Sequence, residues 1–308
     1  MAAELLKRQF LSEIQPKLFP SYGFMSRALN DDAFVNNNSV ELPHSGTIPA
    51  VATNRSTLPA TIAKRTDAAT QYLLKEFTTD PTLLQDSEGL TVAYDKRSSI
   101  LDQHAKKQMA KCANSALYDW AGGAANFLAS TGSARVASGD GQTGTRLAFT
   151  AEDLFKVKTR FHKDDIEPDN NAVNGVAVLT PQQYQDLILD PDIKDQSAFG
   201  NMGGGVLPQG VVNRIGGFDI YIRSSVILLN NVNALKAEDA AAAATDQSAA
   251  LFYSPDYVRR AKGAVKVYIN ADEAAYYGSI FSTMVRFGAA PARDDNKGVY
   301  ILFEDDAV

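Results

Sequence analysis

The sequence predicts an α+β fold, in which strand pairs and helices occupy separate stretches of the chain. Residues 95–121 carry apolar side chains at three- and four-residue steps, which predicts one amphipathic helix about 40 Å long. Apolar runs of strand length recur around residues 68–94, 174–179, 211–227 and 264–303. Strands and helices that cluster in this way are typical of α+β proteins.

Length and composition describe an ordinary folded protein. The chain has 308 residues, of which 45% are hydrophobic and 21% are charged. These fractions are near the averages for globular proteins and exclude collagen-like and disordered classes. The net charge is -6, with Lys and Arg spread along the chain, which argues against a protein whose main task is to coat nucleic acid.

The N-terminal segment contains charges within its apolar pattern and has no uninterrupted hydrophobic run. It therefore fits neither a signal peptide nor a membrane span, and we expect folding in the cytoplasm without a membrane partner. Residues 3–14 have the spacing of a short amphipathic helix. The next residues, to about 66, are rich in Asn, Ser, Thr, Pro and Gly, which predicts a functional loop or an extended arm with strand-like pieces only at VELP and TIPAV.

No pattern of catalytic, cofactor-binding or metal-binding residues is present. The three histidines, His44, His104 and His162, are too far apart in sequence to indicate a zinc site. The single cysteine, Cys112, lies among small residues and is interpreted as a packing residue. The glycine-rich stretch GNMGGGVLPQG lacks the features of a phosphate-binding loop, and there is no GxSxG motif. Acidic pairs such as Asp31–Asp32 are interpreted as solvated loop charges.

The stretch FTTDPTLLQDSEGLTVAY predicts an extended hairpin. We expect one strand at 68–79, a turn formed by Pro81 and the polar run QDSEG, and a return strand at 90–94. An isolated hairpin is at best marginally stable, and this one is apolar on both faces, so we expect a neighbouring subunit to cover it. On this basis Phe77→Asp or Leu84→Asp is expected to leave a folded subunit that does not assemble. The predicted contact residues are Tyr72, Leu73, Leu74, Phe77, Leu83, Leu84, Leu90 and Val92.

The long helix that follows is basic on one side. Its first half has only Asp102 as an acidic residue, and Gly122 marks its end. This side is either a solvated helix face, or a surface for acidic loops of another subunit or for nonspecific contact with packaged nucleic acid. The residues that form it are Lys96, Arg97, Lys106, Lys107 and Lys111.

The rest of the chain contains several further local signals. Residues 130–146 are predicted to be a loop, Thr150 with Asp153 caps a helix, and Pro181 begins a short helix after the strand NGVAVL. Gly216 and Gly217 suit a hairpin turn. Residues 231–250 favour an exposed helix or a surface loop, and the strands TMVRFG and GVYILF, joined by AAPARDDNK, are expected to form a terminal hairpin.

The order of these elements resembles the major capsid proteins of tailed bacteriophages, which have the Hong Kong 97-like fold. The resemblance lies in an irregular arm, an extended hairpin that leads directly into the basic helix (TVAYDKRSSILDQHAKKQ), and the phrases VAVLTPQQYQDLI, IGGFDIYIRSS and VRFGAAPARDDNKGVYIL. It implies an N-terminal arm at 1–40, an extended loop at 41–94, a peripheral domain with a spine helix at 95–170, an axial domain at 171–262, and a C-terminal return to the peripheral domain at 263–308.

The same resemblance implies a function. Subunits of this family form hexamers and pentamers that close into an icosahedral shell around double-stranded DNA, so the chain is expected to be a non-enzymatic virion protein assembled in the host bacterial cytoplasm. Its expected partners are other copies of itself, a portal, a scaffold or decoration protein, and packaged DNA. An encapsulin-type nanocompartment shell is the alternative, and a soluble hydrolase that uses the acidic pairs is a more distant one.

Overall fold

The structure is a computed structural model that describes residues 23–44, 51, 53–56, 59, 62, 68–85, 96–122, 126–137, 139–167, 169–170, 173–191, 193, 214–293 and 297–307. Its helices are α1 Gly23–Ser26, α2 Lys96–Ala121, α3 Ala151–Lys163 and α4 Pro181–Leu189. Its strands are β1 Leu29–Asn30, β2 Val35–Asn36, β3 Ser39–His44, β4 Ala68–Leu73, β5 Lys75–Thr78, β6 Thr82–Gln85, β7 Phe127–Ala129, β8 Ala134–Val136, β9 Thr145–Leu147, β10 Asp169–Asn170, β11 Val173–Leu179, β12 Arg214–Ile215, β13 Phe218–Ile222, β14 Ile227–Leu229, β15 Gln247–Tyr253, β16 Val258–Glu273, β17 Gly278–Pro291 and β18 Val299–Phe303.

An eight-stranded mixed sheet forms the centre of the described structure. Its strands lie in the order β12-β13-β11-β15-β18-β7, with β10 paired to β11 and β14 paired to β15. Strands β15 and β18 are buried along their whole length. Such continuous apolar runs are expected for strands that are covered on both faces.

Helices cover both faces of this sheet. Because side chains alternate along β11, Val176 and Val178 pack in the core that includes α2, whereas Ala177 and Leu179 pack in the core that includes α3 and α4. The sheet therefore lies between α2 on one side and α3 with α4 on the other.

A five-stranded sheet has a different environment. Its order is β1-β16-β17-β5, and β6 pairs with the same strand, β17. Val267, Phe281 and Val285 from this sheet pack in the same core as the apolar face of α2. Helix α2 therefore contacts both sheets and connects them through one continuous core.

Several local predictions are confirmed. The Thr150 side chain accepts a hydrogen bond from the Asp153 backbone N–H at the start of α3, and α4 begins at Pro181. Thr180 and Gln183 form a second capping box there, which the sequence analysis did not predict. Gly216 and Gly217 have φ angles of 62° and 94° between β12 and β13, a conformation that favours glycine in a two-residue turn. Helix α2 ends at Ala121, directly before Gly122.

The predicted terminal hairpin is wrong. Strand β17 pairs with β16, whereas β18 crosses to the eight-stranded sheet and lies between β15 and β7. The residues of β18 are buried on both faces, so they suit a central strand better than one arm of a surface hairpin. The long antiparallel hairpin is formed by β16 and β17 instead.

Two loop predictions were incomplete. Residues 231–246 do form a surface loop, but Gln247–Tyr253 form the buried strand β15, which the alanine-rich composition concealed. The segment 130–146 contains the short strand pair β8–β9. Interactions with the rest of the chain override the weak local propensity in both cases.

Other predictions lie outside the described residues, namely the N-terminal helix at 3–14, most of TIPAV, the return strand at 90–94 and the glycine-rich stretch at 200–210. The predicted domain boundaries remain predictions. Among the described helices, none is both long and apolar enough to span a membrane.

Candidate assembly surface

The extended segment before α2 pairs differently from the prediction. Strand β4 pairs with β3 upstream, with Leu73 opposite Ser39 and Ala68 opposite His44. Pro81 does not reverse the chain, because β5 and β6 both pair with β17, one after the other along the same edge. In the part of the chain that the structure describes, the antiparallel partner of residues 68–73 is therefore β3, and Leu83 and Leu84 belong to a strand instead of a turn.

A buried polar cluster attaches this segment to α2. Both ring nitrogens of His104 are hydrogen-bonded, Nδ1 to Thr79 Oγ1 at 2.7 Å and Nε2 to Thr82 Oγ1 at 2.8 Å. Gln108 Nε2 donates to the carbonyl oxygens of Phe77 and Thr283 at 3.2 and 3.0 Å. Burial lowers the pKa of His104 below its ordinary value. The segment β5–β6 is thus held on its own subunit.

The structure separates the predicted contact residues into two groups. Tyr72 and Leu74 are buried in a small cluster with Val40, Ala261 and Ala290. The Tyr72 hydroxyl donates to Asp31 Oδ2 at 3.0 Å, and burial together with this carboxylate raises its pKa. Both side chains are therefore covered by their own chain and do not need a neighbour.

Leu73 lies on the opposite side of the same strand and is 66% exposed, whereas the next residue, Leu74, is 3% exposed. Phe77 and Leu84 are half-buried against the core that includes α2, so replacing either with aspartate would destabilise the subunit itself. The sequence-based expectation for Phe77→Asp and Leu84→Asp is corrected accordingly. Leu90 and Val92 lie outside the described residues.

The basic side of α2 is smaller than predicted. Lys106 and Lys107 are exposed, but Lys111 pairs with Glu238 at 3.3 Å and with Asp239, both in the loop after β14. Its charge is neutralised within the chain. Lys96 and Arg97 begin the helix, and their side chains lie outside the description.

The outer face of the five-stranded sheet was not predicted as a site. Val267 and Phe281 point toward α2, so Tyr268, Ile280 and Leu83 point away from it. Tyr268 is 51% exposed, and its hydroxyl lies 3.6 Å from the Met284 sulfur. This outer sheet face, formed by Tyr268, Ile280 and Leu83, combines apolar groups with solvent access.

The tip of the β16–β17 hairpin is also aromatic. Tyr276 and Tyr277 lie in its four-residue turn, and Tyr277 is 81% exposed. Tyr277 has a φ of 48°, a left-handed conformation that is costly for a bulky side chain. Gly278 follows it at a point where a Cβ atom would lie 2.2 Å from the Leu84 carbonyl oxygen, so the hairpin approaches β6 closely. A sequence scan for apolar periodicity does not identify such a turn.

Two polar groups that the sequence analysis considered, Asp31 and Cys112, have structural roles. Asp31 is buried, contrary to its interpretation as a solvated charge, and pairs with Arg259 at 3.0 Å. Cys112 is buried in the core, where burial raises its pKa to about 12. Among the described residues, no group of three or more His, Cys, Asp or Glu side chains is placed to hold a metal ion.

Comparison with known proteins gives the fold. No protein-family model and no curated protein sequence matches the chain. Solved structures do match over nearly the whole length. The capsid protein of the cyanophage P-SCSP1u is 14% identical with a TM-score of 0.63, and the match covers 92% of this chain and 88% of that one. The capsid protein of Ralstonia phage GP4 is 12% identical with a TM-score of 0.60, over 92% and 88% of the two chains.

A third match, the capsid protein of the cyanophage Pam1, is 9% identical with a TM-score of 0.60 and covers 91% of this chain and 89% of that one. At such low identity the agreement concerns the arrangement of helices and strands. The predicted fold class is confirmed, and this chain has the fold of phage capsid subunits.

Proposed function

We propose that this chain is the major capsid protein of a tailed double-stranded DNA bacteriophage, which assembles as hexamers and pentamers into an icosahedral shell around the genome. The observation that carries the proposal is the fold similarity to phage capsid subunits over about nine tenths of both chains. The proposed role is structural, and Asp31, one of the acidic residues considered for catalysis, forms an internal ion pair with Arg259.

The exposed apolar groups support assembly through repeated contacts between copies. Leu73 and Phe34 are both largely exposed, and both belong to the part of the chain that precedes α2. The other group consists of Tyr276 and Tyr277 at the end of the longest hairpin. Because the two groups lie on different elements, a contact between them is heterologous, and such contacts generate closed rings and shells.

The outer sheet face extends the second surface. An antiparallel sheet can leave one face in water, but aromatic and aliphatic side chains there are more typical of a face that is covered in an assembly. Tyrosine is also enriched in protein interfaces, because it buries a large apolar area and retains a polar end. We therefore place the subunit contacts at Leu73, the outer sheet face and the hairpin tip.

The exposed lysines of α2 are the proposed contact for DNA or for acidic loops of another subunit. Lys106 and Lys107 have no ion pair among the described residues, in contrast to Lys111. Two such charges suit weak, nonspecific attraction to phosphates. A portal, a scaffold or a decoration protein are the further partners of the proposed shell, which would be assembled in the host cytoplasm.

The experiment is expression of the full chain alone and together with the neighbouring phage gene products, followed by light scattering and negative-stain microscopy at rising concentration. Closed particles, or rings of five and six subunits, are expected. A chain that stays monomeric even with those gene products would overturn the proposal. Nuclease-protected DNA in native particles separates a genome shell from an encapsulin-type compartment, which would contain an enzyme instead.

A further inference from the structure

A groove on the far side of the eight-stranded sheet is independent of the proposed subunit contacts. It has a volume of about 350 Å³ and lies between one face of α3 and strand β7. The helix contributes residues at three- and four-residue steps, which places them on a single face. The lining residues used below are Leu128, Glu152, Phe155, Lys156, Arg160 and Lys163.

The floor of the groove is apolar. Phe155 is 49% exposed, although it belongs to a well-capped helix whose other large apolar side chains, Leu154, Val157 and Phe161, are buried. Leu128 from β7 packs partly against the core beneath α3. The groove can therefore receive one large apolar side chain, which would cover Phe155.

The rim of the groove is basic. Lys156 already forms two ion pairs, since its Nζ lies 3.2 Å from a carboxylate oxygen of Glu152 and 3.2 Å from one of Asp153. Arg160 and Lys163 are exposed and have no ion pair among the described residues. The groove thus has two unpaired cations beside an apolar floor, in a chain whose net charge is -6.

We infer that this groove binds an acidic peptide segment that carries a large apolar side chain and belongs to a different protein. The apolar side chain occupies the floor beside Phe155 and Leu128, and the carboxylates pair with Arg160 and Lys163. Charge complementarity identifies the peptide as acidic, and the exposed aromatic ring selects an apolar anchor residue.

Nucleic acid fits the groove less well. Proteins that depend on phosphate contacts neutralise several phosphates at once, whereas this groove offers two unpaired cations. A second copy of this chain is also a poorer occupant, because the exposed apolar groups that support self-assembly lie on other elements, namely β4, β16 and β17.

The test uses an array of immobilised acidic hexapeptides in which one or two apolar residues lie among Asp and Glu. A second array replaces those apolar residues with Gly and Ser. We expect the full-length chain to bind members of the first array, and binding to fall as salt rises from about 50 to about 300 mM. The best hexapeptide is then labelled with fluorescein and titrated by anisotropy.

Two groove variants and one control variant separate the contribution of the basic rim to peptide binding from that of the apolar floor. Arg160→Glu with Lys163→Glu is expected to weaken binding about tenfold or more, and Phe155→Ser about tenfold. Arg214→Glu changes charge on exposed strand β12, outside the groove, and is expected to leave the affinity unchanged. Circular dichroism melting shows whether each variant is folded.

Several results would overturn the inference. They are the absence of binding to any hexapeptide, equal binding to the Gly and Ser array, an unchanged affinity for the folded groove variants, and tighter binding of a single-stranded oligonucleotide that the same variants abolish. Loss of self-assembly in the groove variants would make the groove a contact between copies and would also overturn it. Since peptide binding is measured on the chain in solution, these results do not depend on whether the chain forms a shell.

Discussion

The two main sheets share one helix but differ in what covers them. The eight-stranded sheet is enclosed by α2 on one face and by α3 and α4 on the other, and β15 and β18 are buried throughout. The five-stranded sheet is covered by α2 on one face, and on the other face Ala261 and Ala290 are covered by residues of β3 and β4, whereas Tyr268, Ile280 and Leu83 retain solvent access. Under the proposed function, the first sheet maintains the subunit fold, and the second presents the surface that we propose for assembly.

The largest expected effect comes from the enclosed sheet. Phe252 is fully buried in β15, and Phe252→Ala is expected to lower the free energy of unfolding by about 3–5 kcal/mol, because it leaves a cavity. Tyr268→Ala on the outer sheet face is expected to cost less than about 1 kcal/mol. Urea denaturation of the unassembled chain measures both. Equal losses would contradict the distinction between the sheets.

The next effect concerns the attachment of β5–β6 to α2. Gln108 is buried and bonds to Phe77 and Thr283, so Gln108→Ala is expected to cost about 1–3 kcal/mol because three hydrogen bonds of this buried side chain are lost, including the one that its Oε1 accepts from Thr283 Oγ1. Gln103→Ala, an exposed change on the same helix, is the control. If the two variants unfold at the same urea concentration, the polar cluster does not hold the segment in place.

Substitutions at the hairpin tip should affect subunit stability and particle assembly differently. Tyr277→Asn replaces a bulky residue in the left-handed region with one that tolerates this conformation, so the relief of strain is expected to raise the free energy of unfolding by about 0.5–1 kcal/mol. The same substitution is expected to lower particle yield. Tyr276→Asn makes the same chemical change without that relief, so it should lower particle yield without raising stability. Unchanged yields for both would exclude the tip from the interface.

The smallest expected effect is a pH dependence at His104. Burial lowers its pKa in the folded state, so the unfolded chain binds a proton before the folded chain as the pH falls. Its contribution to stability is therefore present above the unfolded pKa of about 6.5 and is lost as the pH falls below it. Urea titrations at several pH values should show that the free energy of unfolding falls less steeply with decreasing pH for His104→Gln than for the parent chain. An identical slope would show that His104 does not contribute.

The sequence was sufficient for elements whose signals are local. The cap at Thr150, the helix start at Pro181, the glycine turn at Gly216 and the end of α2 each depend on a few adjacent residues, and all are confirmed. Pairing between strands that are distant in sequence could not be predicted from adjacent residues. Strand β18 follows β17 closely but joins the other sheet, and β4 pairs with β3 across an intervening segment of more than twenty residues.

The candidate contacts were only partly predictable for a related reason. Alternation along β4 correctly placed Leu73 and Leu74 on opposite faces, but it could not tell which face the same chain covers. That depended on Ala261 and Ala290, which lie far away in sequence. The positive φ of Tyr277 and the ion pairs of Lys111 likewise arise from tertiary structure, so they could not be predicted from the periodicity of the sequence.

The most direct test compares two adjacent residues. Leu73→Asp and Leu74→Asp are prepared in the full chain, and each is assayed by circular dichroism melting and by sedimentation of assembled particles. Leu73→Asp is expected to melt like the parent chain and to remain as free subunits, whereas Leu74→Asp is expected not to fold. Normal particles from Leu73→Asp would contradict the claim that this exposed face forms the contact between subunits.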